Sequence, residues 1–311
     1  MLIARRSFPL ILLVFSVPAL AQQEDRVFER SVYAIPSWDR AVEATDVERY
    51  STADEYVAAA LDDRYVLEKL RYRSDGLAVM AYLYRPSNDT PTKRPVIVFN
   101  RGSYIRGDIA PELLPMFHRL ADAGFTIVAP MYRGSDGGEG HDEMGGADLN
   151  DLMNVAGLLS GLDSLDAQNV FLYGESRGGM MVFQAIRDGF PVRAAATFGG
   201  FTDLEALAST QQGTAMAESI WPNFDEQRAQ IIARRSAIQW PEKLNIPLLL
   251  MHGSNDRSVS PAQTLLLAIE LGKAQEEFGV IVFPGGNHTL VQERVERDRH
   301  AVEFFRRYIV K

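Results

Sequence analysis

From Pro95 onward the chain carries short continuous apolar runs separated by segments of helix length. Residues 96–99, 125–129, 170–173, 194–198, 246–251 and 280–283 lack the polar alternation of a one-sided strand. Such runs belong to strands buried on both faces, so they predict a parallel sheet covered by crossover helices. Ahead of them the period changes to two. Residues 65–70 and 77–84 alternate around Ser74-Asp75-Gly76, and Asp-Gly between alternating strands predicts a hairpin. The expected fold class is therefore α/β, a mostly parallel central sheet with an antiparallel N-terminal hairpin and flanking helices.

Two stretches stand outside this pattern. Residues 22–63 are acidic and weakly patterned, with one helix start where Thr52 and Glu55 fit a capping box; they read as an N-terminal arm. Residues 201–243 hold helix-like segments, Trp221-Pro222 and Trp240-Pro241, and no strand pattern. They read as a cap inserted over the carboxyl edge of the sheet, where α/β ligands bind. One domain over residues 64–311 accounts for the rest.

Composition narrows the function. A length of 311 residues with 46% apolar and 23% charged residues excludes disorder, collagen and coiled coil as whole-chain descriptions. Lys plus Arg number 32 against 41 Asp plus Glu, a net charge of −9. No basic surplus exists to neutralise a phosphate backbone, so nucleic acid is not an expected partner. Residues 1–21 combine basic Arg5 and Arg6, an apolar run over 8–20 and small residues at Ala19-Leu20-Ala21, the marks of a secretory signal peptide. Pro9 and Pro18 interrupt a run already shorter than the roughly 20 residues needed to span a bilayer. A secreted or periplasmic protein with no stable membrane span is expected. Arg5-Arg6-Ser7-Phe8 also resembles a twin-arginine export motif, which leaves the route open. The absence of cysteine excludes disulfides, a thiol nucleophile and thiolate-ligated metal. None of the five histidines forms His-x-x-x-His, so a zinc-hydrolase site has little support.

The strongest chemical signal is Gly174-Glu175-Ser176-Arg177-Gly178-Gly179, between a buried strand and a helical stretch. In a Gly-x-Ser-x-Gly elbow the turn is so tight that the flanking positions must lack side chains, and the serine Oγ stands above the sheet. A serine hydroxyl needs a base to take its proton, and that base needs a carboxylate to orient it. Asp256 and His288 follow the next strand runs in the order Ser, Asp, His, on the edge where Ser176 must lie. His118, His141, His252 and His300 sit in less suitable places, His252 as a structural residue at a strand end. The Arg177 amide, at a helix start, is one expected oxyanion donor, and an amide of Arg101, Gly102 or Ser103 the other. Tyr104 either reaches the site with its phenol or packs on the cap. Trp221 and Phe224 are expected substrate contacts if any cap aromatic lines the pocket. The loop 132–140 carries acids and no lysine and reads as a rigid structural loop rather than a phosphate cradle.

With these residues in view, the sequence resembles the catalytic domain of the prolyl oligopeptidase family of serine peptidases, within the α/β-hydrolase superfamily. The similarity rests on Ser74-Asp75-Gly76-Leu77 leading to Tyr82-Leu83-Tyr84-Arg85-Pro86, on Tyr132-Arg133-Gly134-Ser135, on the elbow, on Gly253-Ser254-Asn255-Asp256 before Val259-Ser260-Pro261, and on Asn287-His288. It implies a Ser176-Asp256-His288 triad and no cofactor. Large members carry a β-propeller before this domain; residues 22–64 are too few for one. Where relatives have His-Gly-Gly or a tyrosine in the oxyanion loop, this chain has Asn100-Arg101-Gly102. The expected activity is that of an exported serine hydrolase, a peptidase acting on short peptides. A carboxylic ester hydrolase is the alternative, and a non-catalytic binding protein on a hydrolase fold the remote one.

Overall fold

The structure, a computed structural model, describes residues 27–88, 93–104, 106–162 and 165–311; the leader assigned to residues 1–21 lies outside them. Nine strands run in chain order: β1 (Val27–Val32), β2 (Tyr65–Ser74), β3 (Leu77–Pro86), β4 (Arg94–Asn100), β5 (Thr126–Pro130), β6 (Leu165–Glu175), β7 (Ala194–Phe198), β8 (Leu248–Gly253) and β9 (Phe278–Phe283). They form one sheet in the order β1-β2-β3-β5-β4-β6-β7-β8-β9. Pairings from β1 through β3 to β5 are antiparallel, and all others are parallel. The fold is that of an α/β hydrolase.

The predicted hairpin is β2 with β3. Asp75 and Gly76 turn it with φ of 51° and 82°, the pair of positive φ values that matches the twist of flanking strands. The helices are α1 (Trp38–Ala44), α2 (Ala53–Leu61), α3 (Ala110–Asp122), α4 (Leu149–Leu159), α5 (Arg177–Arg187), α6 (Leu204–Ala208), α7 (Gln211–Ile220), α8 (Phe224–Arg235), α9 (Pro261–Ala274) and α10 (Arg294–Arg306). They cover both faces. One core joins β-strand residues to α4, α5, α9 and the 201–243 segment, through Leu152, Phe183, Leu204, Trp221 and Leu267. The opposite core joins the sheet to α3, α10 and the arm, through Ala41, Val47, Tyr56, Phe117 and Phe305.

The arm and the last strand differ from expectation. Val27–Val32 pairs with β2 as an edge strand, which no alternation announces because five of its six residues are exposed. Its anchor is electrostatic. Arg30 and Arg85 both clamp the buried Glu68 carboxylate, at 2.6 Å and 2.8 Å. Beyond it the predicted capping box is present, with Glu55 N donating to Thr52 Oγ1 and Thr52 N donating to Glu55 Oε2. β9 reads as buried on both faces but is a half-exposed edge strand, since a sheet's last strand has a neighbour on one side only.

Residues 201–243 are helical, as their pattern suggests, but their aromatic residues point inward. Phe201, Trp221 and Phe224 are buried in the core shared with α5. The pinned loop after β5 also behaves as its composition implies. Arg133 binds Asp151 at 2.7 Å, and Asp136 accepts from Tyr82 and Lys69 at 2.7 and 2.8 Å.

Candidate active site

β4 and β6 are neighbours whose carboxyl ends align, Asn100 opposite Gly174. That register brings the loop after β4 beside the turn after β6. Ser176 occupies this turn with φ 52° and ψ −118°, a strained conformation for a residue with a side chain. The turn has room for it because the residues two positions to either side are glycines. A Cβ on Gly178 would lie 1.9 Å from the Asn100 carbonyl oxygen, and one on Gly174 would lie 2.5 Å from that of Gly178.

Asp256 follows β8 and His288 follows β9, so both loops rise at the same sheet edge as Ser176. His288 Nδ1 lies 2.8 Å from Asp256 Oδ2, and His288 Nε2 lies 2.9 Å from Ser176 Oγ. With Nδ1–H donating to the carboxylate, Nε2 is left to accept the serine proton. The second oxygen of Asp256 accepts from the amides of Ser258 and Val259 at 2.8 and 2.9 Å. Behind it stands His252, wholly buried, with Nε2 at 2.9 Å from Asp256 Oδ2 and Nδ1 at 2.7 Å from Thr264 Oγ1. Burial works against charge on Asp256. The hydrogen bonds from His252 and His288, the His288 charge and the Val259 amide outweigh it and hold the carboxyl well below the usual carboxylate range. His252, expected as a structural residue, therefore bears directly on the carboxylate; its place as the fifth residue of β8 gives no sign of that.

The side chains of Arg101 and Arg177 turn away from the serine and brace the oxyanion loop. Arg101 donates to the carbonyls of Gly102, Tyr104 and Met131 at 3.0, 2.8 and 2.7 Å. Arg177 donates to Asp142 and Asp148 at 2.6 Å each and to the Ser103 carbonyl at 3.0 Å. Both guanidiniums lie over Tyr132, 5.0 and 4.6 Å from its ring centre, where cation–π attraction offsets part of their desolvation. The carbonyls of Gly102, Ser103 and Tyr104 are thus held by arginines. Gly102 makes the close approach, since a Cβ there would be 3.3 Å from Ser176 Cβ. The Arg177 amide lies in the first turn of α5, where no intrahelical acceptor exists.

Ser176, His288 and the 101–103 loop line a cavity of about 80 Å³ whose other walls include Tyr50, Arg106, Glu112 and Glu175. The three expected substrate contacts lie elsewhere. Tyr104 donates to the Asp142 carbonyl at 2.7 Å. Trp221 donates from Nε1 to the Glu143 carbonyl at 2.9 Å and lines a separate cleft of about 380 Å³. Phe224 stacks on Trp221 with ring centres 5.8 Å apart. An aromatic in a helical segment reads alike as pocket wall and as core, and here packing claimed it. Tyr50, one of three tyrosines in the acidic stretch 22–63, carries no sequence signal for its place at the site. Asp62, His118 and Asp122 also converge, and the Arg64 guanidinium bridges the two carboxylates.

Fold, elbow and the Ser-His-Asp chain together define an α/β hydrolase of the serine type. The sequence profile of the prolyl oligopeptidase family matches residues 115–311, and the chain belongs to that family of serine peptidases. It is 28% identical over 203 residues to the peptidase YtmA of Bacillus subtilis, covering 64% of this chain and 77% of YtmA. It is 26% identical over 242 residues to the acylamino-acid-releasing enzyme of Sus scrofa, covering 72% of this chain but 32% of that enzyme. Among solved structures, the acylaminoacyl peptidase of Pyrococcus horikoshii superimposes with a TM-score of 0.66 at 22% identity, over 84% of this chain and 44% of that one. A puromycin-hydrolyzing peptidase of Mycobacterium tuberculosis does so with 0.65 at 23%, over 77% and 39%. The chain thus spans about a third of the Sus scrofa enzyme and under half of both solved relatives.

Proposed function

We propose that this protein hydrolyses short peptides through an acyl-enzyme on Ser176. The hydrogen-bonded chain from Ser176 Oγ through His288 to Asp256 carries this reading. Ser176 Oγ attacks the scissile carbonyl carbon while its proton passes to His288 Nε2. The oxyanion that forms accepts from the Arg177 amide and an amide of the 101–103 loop. His288 then protonates the leaving amine, the C–N bond breaks, and water repeats the sequence on the ester to release the acid and free Ser176. Asp256, kept ionised, holds the imidazole and stabilises its charged form.

Peptides are favoured as substrates by the family and by relatives named as acylamino-acid-releasing and acylaminoacyl enzymes. Export is favoured by the pattern of residues 1–21, and an amino terminus beginning at Gln22 in the recovered mature protein would test it. Among the described residues no helix is long and apolar enough to cross a membrane. A fluorophosphonate probe should label wild type and not Ser176→Ala, and the variant should lose roughly 10⁶ in kcat. Matched aminoacyl amides and esters decide the bond: turnover of esters with no detectable amide cleavage replaces the peptidase by an esterase. Absence of labelling leaves a binding protein.

A further inference from the structure

The cavity beside Ser176 holds a carboxylate that the steps above leave unused. Glu175 ends β6 directly before the serine, and its side chain lies against the oxyanion loop. A Cβ on Gly102 would be 3.5 Å from both Glu175 Cγ and Cδ. The surrounding arginines are engaged with other acids, and Arg119 and Arg297 share one, Asp298. Arg106 reaches both oxygens of Glu112 at 2.6 Å. Arg297 binds Asp298 at 2.9 Å and the Thr289 carbonyl at 2.8 Å, and Arg294 binds Glu55 at 2.7 Å. Among the described residues the Glu175 side chain has no hydrogen-bond partner, because Arg297, the cation that acts on it most, spends its hydrogen bonds on Asp298 and the Thr289 carbonyl.

A half-buried carboxylate without a donor is costly, and a substrate group that supplies the donor recovers that cost on binding. Burial pushes the Glu175 carboxyl above the usual glutamate range, against the pull of Arg297 and His288. The Tyr50 phenol shares the cavity. Burial first, then the Glu175 and Glu112 charges, hold it neutral, a hydroxyl that donates one hydrogen bond and accepts others. About 80 Å³ suits an ammonium group, given that a water molecule takes about 30 Å³ in the liquid.

We propose that Glu175, with Tyr50 beside it, is a specificity determinant that receives a cationic amine of the substrate next to the scissile bond. The proposal rests on the serine-hydrolase reading of Ser176. An ammonium matches the charge and brings three donors, for which the carboxylate and the phenol oxygen are acceptors. Two sources supply that chemistry, a free amino terminus and a lysine side chain.

The test compares kcat/KM of wild type and Glu175→Gln on the 4-nitroanilides of alanine, acetylalanine and acetyllysine, and on the three corresponding methyl esters. One or both cationic substrates should exceed acetylalanine by about tenfold or more, the range of a charged hydrogen bond, and Glu175→Gln should remove most of that excess. Which cationic substrate gains names the source. The ester series keeps the test intact if amides are not cleaved, an outcome that ends the peptidase reading and not this one. Equal or better turnover of acetylalanine overturns the proposal, as does a Gln variant that slows all substrates by one factor. A second measurement needs neither turnover nor a variant: butylammonium should slow fluorophosphonate labelling of wild type more than butanol does, and equal protection overturns the assignment.

Discussion

Residues 27–63 and 201–243 are both short, largely helical stretches outside the repeating strand-helix pattern, yet they meet the sheet on opposite faces and stand differently to the site. The 201–243 segment buries Phe201, Trp221 and Phe224 in the core it shares with α5, with Trp221 and Phe224 stacked on each other. The arm is acidic and weakly patterned, and it supplies an edge strand, part of the opposite core and the Tyr50 wall of the serine cavity. Hydrophobicity thus accounts for the burial of both segments without marking which would reach the Ser176 cavity. Burial follows from transfer free energy, which has no direction. Proximity to Ser176 follows from which strand end a loop leaves.

Neither region supplies a reacting group, so the largest losses should lie outside both. His288→Ala and Asp256→Asn should each lower kcat by roughly 10⁴ or more, and the double variant by little more than the worse single one. Effects that multiply would mean these residues do not act as a unit. Trp221→Ala comes next, as a loss of stability of about 3–5 kcal/mol in denaturant titration. Its kcat/KM per folded molecule should change by one factor for all substrates. A change that depends on the acyl group would bring the insertion back to the site and erase the contrast.

Tyr50→Ala should do the opposite. Half-buried at the cavity rim, it should cost less stability and shift the kcat/KM ratio between small and bulky acyl groups by about tenfold, as pocket contacts do. An unchanged ratio would reduce the arm to packing. The smallest effect concerns how the arm is held. Burial by itself would raise the Glu68 carboxyl, but the bonds from Arg30 and Arg85 and their charges bring it below the usual range. A carboxyl depressed on folding contributes stability that is present above its unfolded pKa, near 4.3, and is lost as pH falls through the lower folded value. Hydrogen exchange of β1 amides, corrected for intrinsic rate, should thus lose protection in acid before β4, β6 and β7 do. Protection independent of pH would leave Glu68 without its anchoring part.

Much of this was legible in the chain. Continuous apolar runs marked the inner strands because a parallel sheet hides both faces, and Asp75-Gly76 marked the hairpin because its turn needs two positive φ values. The elbow was legible for a steric reason: Gly174 and Gly178 have no room for a side chain. Order along the chain then singled out Asp256 and His288, since successive strand ends of one parallel sheet open on one edge. β1 was not legible, because an exposed edge strand held by Arg30 and Glu68 needs no apolar alternation.

What only tertiary structure decided are the relations between residues that no local period encodes. His252 meets Asp256 because β8 ends in a loop that doubles back over it. The side chains of Arg101 and Arg177, of which the sequence reading used only the backbone amides, turn inward because buried Asp142, Asp148 and loop carbonyls satisfy them. Tyr50 and Glu175 share a cavity although 125 positions separate them. Sequence patterns report how each segment partitions between water and core; which partitioned surfaces then face one another is set by sheet order and loop closure, and that is a property of the whole chain.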